Sequence, residues 1–192
     1  MGEQQQWIIN LQSEVDEINS TPSLQRRKTP SIYRVPKILR DLHEEAYTPQ
    51  IISIGPYHHG KPHLQSMEPD KRLVLAQYLQ RAGMTVAQVV DAMRPMVQEI
   101  MDSYDGLEEP WTNEDRLLEL MILDGCFVLD CHRQDSLQPE ESHLSRGLWL
   151  DFYRLENQVP LSVLDILIRI GGNRVIYSRC TYLLHSYLVY IV

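Results

Sequence analysis

The chain has 192 residues, 43% of them hydrophobic and 23% charged, with a formal net charge of −8. That composition supplies the apolar content of one ordinary globular domain and excludes wholesale disorder. The acidic balance argues against nonspecific nucleic-acid binding, because phosphate contacts need clustered Lys and Arg.

Residues 1–30 read as a polar leader and basic linker. Within them Trp7, Ile8, Leu11, Val15 and Ile18 fall at helical spacing and predict a short amphipathic helix. Residues 31–172 read as a helical domain. It opens with a turn and a short helix over residues 32–42, Pro36 lying near the helix start. Residues 50–54 are short, β-branched and bounded by Pro49 and Gly55, which predicts one extended segment. Gly55-Pro56 and Gly60-Lys61-Pro62 then force turns, and Pro56 pushes Gly55 out of the α region.

The first long helix is expected over residues 66–81, capped by Ser66 and with Pro69 tolerated in its first turn. Gly83 interrupts, and Thr85 with Gln88 has the capping-box pattern for the next helix. There Val86, Val89, Met93, Val97, Ile100 and Tyr104 repeat at three–four spacing, and Pro95 should kink or split the helix near Met93. Asp105-Gly106 ends it. Thr112 or Asn113 can cap another, with Glu114 and Asp115 near its positive end. Residues 117–129 are apolar nearly all round and predict the central buried helix, with Cys126 an inert core thiol. Residues 133–145 read as a polar loop and residues 148–156 as helix. Pro160 opens a last helix through Ile170, closed by Gly171-Gly172. Residues 173–192 read as a divergent tail, open between a strand pair, a helix and an unsatisfied segment. The expected fold is mainly α, an irregular helical domain with a short extended Pro/Gly-rich segment near residues 50–63.

Charge is segregated. Residues 26–40 carry six bases and no acid, residues 99–119 carry eight acids against Arg116 alone, and no acid follows Asp165. Solvated faces and pairing between the blocks account for this, and a sharper reading has the basic arm meet an acidic partner or a lipid surface. The odd, sparse set Cys126, Cys131 and Cys180 gives no disulfide framework, so a reducing compartment is expected. The N-terminus shows no signal peptide, and Gln6 breaks the myristoylation pattern. The sequon Asn19-Ser20-Thr21 would go unused without secretion. No apolar run of about 18 residues exists to span a bilayer. A cytoplasmic location follows as the expectation for this chain.

His58, His59 and His63 form the one histidine cluster. Adjacent side chains diverge, and His59 and His63 would need a helix that Gly60-Lys61-Pro62 opposes. Metal binding, even with Cys131 and His132 joining from afar, is therefore weaker than turn-stabilising hydrogen bonds. Asp41, Glu44 and Glu45 around His43 read as macrodipole partners. Neither G-x-S-x-G nor H-E-x-x-H occurs, and Gly55 and Gly60 make no phosphate loop. Residues 155–160 place polar side chains between apolar helices. They read as a buried polar corner in which Asn157 and Gln158 bond freed helix carbonyls and amides. No catalytic residue and no cofactor is assigned.

Four segments carry a resemblance: IYRVPKILRDLHEEAYTPQIISIGPYHHG from Ile32, LQSMEPDKRLVLAQYL from Leu64, LLELMILDGCFVLD from Leu117 and LWLDFYRLENQVPLSVLDIL from Leu148. With them the chain resembles, over residues 32–170, the plant-specific family catalogued as domain of unknown function 247. The matching positions are Tyr33, Pro36, Tyr47, Pro49, Gly55, Pro56, Tyr57, His58, His59, Gly60, Asp124, Cys126, Glu156, Asn157, Gln158 and Pro160. The resemblance implies a mainly helical protein with no established enzymatic activity, and it carries no catalytic residue onto this chain. It also implies that longer members end in a C-terminal transmembrane anchor at the plasma membrane, and that some grass members are linked to self-incompatibility loci. Against that pattern this chain reads as an N-terminal part, truncated before the anchor. The function expected is non-enzymatic binding of an unknown protein partner, with no nucleic acid involved, in recognition or signalling. The alternatives are a metal- or small-molecule-dependent enzyme built on the histidine turn, or a fragment with no independent role.

Overall fold

The computed structural model describes residues 3–20, 30–137 and 145–172. The expectations for the linker, for residues 138–144 and for residues 173–192 lie outside them. Helices α1 (Glu3–Ser20), α2 (Lys37–Leu42), α3 (Glu44–Tyr47), α4 (Glu68–Ala82), α5 (Val86–Met93), α6 (Val97–Asp102), α7 (Glu114–Leu137), α8 (Ser145–Phe152) and α9 (Leu161–Ile170) follow in chain order. No strand is present among the described residues, and the one β-bridge joins Ile32 to Tyr104. The domain is mainly α.

Helix α7 is the axis. It packs against α4 on one side and α9 on another, and α5 bridges α9 and α7. Leu117, Leu118, Met121, Val128 and Cys126 of α7 are buried among Val74 and Tyr78 of α4, Val89 and Met93 of α5, and Val163 and Leu167 of α9. Each such Leu, Val or Met side chain removed from water contributes about 1.5–3 kcal/mol. The near-continuous apolar run 117–129 needs this surround, because a helix apolar on all faces is stable only when covered on all faces. Close approach of α7 and α9 depends on Gly125, where a Cβ would come within 2.6 Å of Leu167 Cδ1 and 3.1 Å of Val163 Cγ1.

Local signals set most boundaries. The capping box at Thr85 forms as expected, the Thr85 side chain accepting from the Gln88 amide and the Gln88 side chain from the Thr85 amide. Pro95 splits its helix through a 3-10 turn over Arg94–Met96, because its ring removes an amide and crowds the preceding turn. Asn113 Oδ1 accepts from the Arg116 amide at 3.1 Å and caps α7. Gly83, at φ +63°, closes α4 in the left-handed region.

Three boundaries differ from the sequence expectation. Ser66 lies inside a 3-10 turn over Pro62–Met67, and α4 starts at Glu68 with Pro69 near its N-terminus. Helix α7 runs on past Arg133 to Leu137, and Arg133 pairs with Asp130 one turn earlier at 2.8 Å. Helix α8 stops at Phe152 rather than reaching Glu156. Asp151 and Asn157 there bond a distant backbone segment, which a continued helix would carry out of reach. Replacing Gly125 with Val should separate α7 from α9 and lower unfolding stability by about 1–3 kcal/mol, read from urea titration.

Candidate functional site

The residues between Thr48 and Gly60 belong to neither helix nor sheet, yet Ile52, Ser53, Ile54, Gly55 and Pro56 are buried. Buried backbone amides and carbonyls need partners. Here side chains supply them. Asp151 at the end of α8 accepts from the amides of Gln50, Ile51 and Ile52 at 2.6–3.1 Å. Asn157 Oδ1 accepts from the Ile54 amide at 2.7 Å, while its Nδ2 donates to the carbonyls of Ile52 and Asp151. Asp124 Oδ2, from α7, accepts from the Gly55 amide at 2.7 Å, and Lys71 Nζ of α4 donates to the Ser53 carbonyl at 2.7 Å.

Every carboxylate in this lattice has a cation. Lys71, fully buried, sits 2.7 Å from Asp124 Oδ1, off the ideal hydrogen-bond direction, and 2.7 Å from Glu68. Arg154 pairs with Asp151 at 3.1 Å. Burial pushes the Asp124 carboxyl above its ordinary range, and Lys71 and the Gly55 amide pull against that shift. Gly55 itself, at φ +76°, is pressed against the chain opposite, where an added Cβ would collide with the Gln158 carbonyl oxygen. The same carbonyl accepts from Tyr104 Oη at 3.0 Å.

A second node centres on Glu156. It accepts from the Val35 amide at 2.7 Å and from Arg40, and lies 3.3 Å from His58 Nε2. Lys61 Nζ meets His58 Nδ1 at 2.8 Å. An ammonium only donates, so Nδ1 is the acceptor and the proton sits on Nε2, facing Glu156 somewhat out of line. Burial works to raise the Glu156 pKa, but His58, the Val35 amide and Arg40 outweigh it and hold it below the usual carboxylate range. Burial lowers that of His58, helped by the charges of Lys61 and Arg40.

The three candidate histidines therefore do not converge. His58 belongs to the Glu156 node, and His59 packs edge-on against Trp111 with ring centroids 5.0 Å apart. His63 bonds the Pro49 carbonyl at 3.1 Å. Among the described residues no group of three or more His, Cys, Asp or Glu side chains is placed to hold a metal ion. The rest of the matching set is placed as follows. Pro36 and Pro160 precede α2 and α9, Tyr47 ends α3 half-buried, and Tyr33 is exposed. Tyr57 Oη donates to the Asp105 carbonyl at 2.8 Å. Cys126 is buried, its thiol pushed up to about 12 by burial. Asn157 bonds the Ile52 and Ile54 backbone and, through Nδ2, the freed Asp151 carbonyl at the end of α8, and Gln158 contributes its carbonyl.

Sequence reasoning missed Lys71, Asp151, Arg40 and Arg154, which lie in ordinary helical or turn patterns. It also missed an open cleft of about 500 Å³ lined by Arg34, Tyr57, His59, Gly60, Trp111 and Arg116. Arg34 lies 4.7 Å over the Tyr57 ring and pairs with Glu108 at 3.1 Å.

A helical domain whose non-helical segment is pinned by these side chains is consistent with the family model described as a plant protein of unknown function, DUF247. That model matches residues 32–187, and the chain belongs to this family. The UPF0481 protein At3g47200 of Arabidopsis thaliana is 35% identical over 147 residues, covering 71% of this chain and 30% of that protein. A second UPF0481 protein of Arabidopsis thaliana, At3g02645, is 31% identical over 166 residues, covering 82% of this chain and 30% of that protein. The chain thus spans about 30% of the length of the curated relatives it matches. No solved structure matches it.

The lattice yields a prediction for stability, and the buried histidines one for pH. Lys71→Met leaves Asp124 buried without its cation and should cost about 3–5 kcal/mol, while adding Asp124→Asn, which keeps an acceptor for Gly55, should recover part of that loss in urea unfolding. The second concerns pH. Burial lowers the His132 pKa to about 4, against Trp149 at 4.5 Å between ring centroids. An unfolded histidine takes its proton near pH 6.5, so between pH 6.5 and 4 the unfolded chain binds more protons. His132 therefore gives its full stability above pH 6.5 and loses about 3 kcal/mol as pH falls to 4. His58 acts in the same direction, Glu156 extends the loss as pH drops through its own lowered pKa, and Asp124, raised by burial, offsets part of it. Urea midpoints measured across this range should fall with pH, and His132→Gln should flatten the upper part of the slope.

Proposed function

We propose that this domain is a non-catalytic protein-interaction module acting in recognition or signalling. The observation that carries the reading is the outer face of α2, which buries none of its residues. Ile38 is 72% and Leu42 67% exposed, and at i, i+4 they share one face of that helix. Tyr153 and Leu155, also exposed, flank Arg154, whose Nη1 donates to the Glu45 carbonyl in α3, and Glu156, which holds Arg40 of α2. An apolar face tied down by a half-exposed arginine on a buried glutamate is the kind of surface that partners use. By contrast, Glu156 and Asp124 accept backbone amides, His63 bonds the Pro49 carbonyl, and His58 and His59 pack against Glu156 and Trp111.

Membrane attachment belongs to the same proposal for longer relatives. Among the described residues no helix is long and apolar enough to cross a membrane. A role of the self-incompatibility type is a further part of the proposal, resting on family resemblance alone. A second reading, small-molecule binding, is favoured by the cleft beside Trp111. Its volume suits a small ligand, and the Arg116 side chain there has no ion-pair partner among the described residues.

Photo-crosslinking from position 155 in plant extract tests the interaction reading. The expected outcome is a discrete adduct that is lost in Ile38→Asp/Leu42→Asp, with the urea midpoint of that variant unchanged within about 0.5 kcal/mol because both side chains are exposed.

A further inference from the structure

Helix α1 is exposed along its whole described surface. From Gln6 to Ile18 no side chain is buried, and Trp7 is 60% exposed. Yet Ile8, Leu11, Val15 and Ile18 repeat at three–four–three spacing, with Trp7 one turn before Leu11, so they form a single apolar stripe. The helix carries Glu3, Glu14, Asp16 and Glu17 and no base. An acidic amphipathic helix is repelled by anionic lipid, which argues against a membrane surface as its cover. Two heptads fall short of the three to four that sustain a coiled coil, which argues against a second copy.

We propose that the stripe of α1 is the docking face for residues 173–192 of the same chain. That segment has the complementary chemistry. It carries Arg174 and Arg179 and no acid, and it is rich in large apolar residues such as Leu183, Leu184, Leu188 and Ile191. Its length suffices, because α1 is 18 residues and so about 27 Å long, and 20 residues cover that distance even at helical rise. Both lie on one chain, so their encounter is intramolecular and independent of protein concentration. Docking removes both apolar surfaces from water and pairs acid with base along their edge.

The test uses the full chain labelled with 5-fluorotryptophan, the Trp7 resonance being the one lost in Trp7→Phe. Solvent exposure is read from its H2O/D2O isotope shift. The expected result is a Trp7 shift less than half that of free fluorotryptophan, unchanged on dilution. It should rise toward the free value in Leu183→Asp/Leu188→Asp and in Arg174→Glu/Arg179→Glu, while the Trp111 and Trp149 resonances stay in place to show that the core is intact. Loss of shielding in Leu11→Asp/Ile18→Asp, whose changes lie on the exposed helix alone, provides an independent arm. Full solvent exposure of Trp7 overturns the proposal, as does shielding that appears only at high concentration, which would mark a second copy. Shielding untouched by the tail substitutions overturns it too.

Discussion

The backbone from Gln50 to Gly55 crosses a helical core with no sheet beside it, and the rest of the domain is arranged around that fact. Its amides point at Asp151, Asn157 and Asp124, and its Ser53 carbonyl at Lys71. A buried carboxylate is an excellent acceptor for several amides, but it brings a charge that low dielectric makes costly unless a cation follows it in. Lys71 and Arg154 are those cations. Their positions on α4 and beyond α8 in turn fix where α4, α7 and α8 sit against the segment. What reads as a set of scattered polar residues is one lattice in which removing any member leaves another group unpaired.

Much of the architecture was legible because it is local. Punctuation by Pro49, Gly55, Pro56 and Gly60 marked the non-helical segment, the Thr85–Gln88 box marked the start of α5, and Pro95 marked its end. The apolar run 117–129 announced the central helix. The partners in the lattice were not legible, because Lys71 and Asp124, or Asp151 and Ile51, meet only through tertiary structure. Periodicity carries helix over residues 148–156, but Asp151 and Asn157 turn to the 50–54 backbone, and the helix yields to that demand. The polar corner at 155–160 was visible as an oddity. Its partners were legible only in part: Asn157 meets the freed Asp151 carbonyl at the end of α8, while its other bonds go to Ile52 and Ile54 of the extended segment.

The same geometry separates structural from available chemistry. His58, Glu156 and Asp124 have the residue types of an acid–base site, and each also meets a structural partner: Lys61, Val35 and Arg40, and Gly55 and Lys71. What faces solvent is different in kind: the apolar side of α2 and the cleft between Tyr57 and Trp111. The α2 face is tied to the buried groups through Arg40 and Glu156.

The central claim is that side chains, not a sheet, hold residues 50–55 in the core as firmly as the helices are held. Native-state hydrogen exchange of the Ile51, Ile52, Ile54 and Gly55 amides tests it most directly. The account predicts that these amides exchange with the slow, global-unfolding rate of α7 core amides such as Met121 and Val128, and that Asp151→Asn accelerates Ile51 and Ile52 before it affects α7. Exchange of all four at the rate of an exposed loop, with the helices protected, would contradict it.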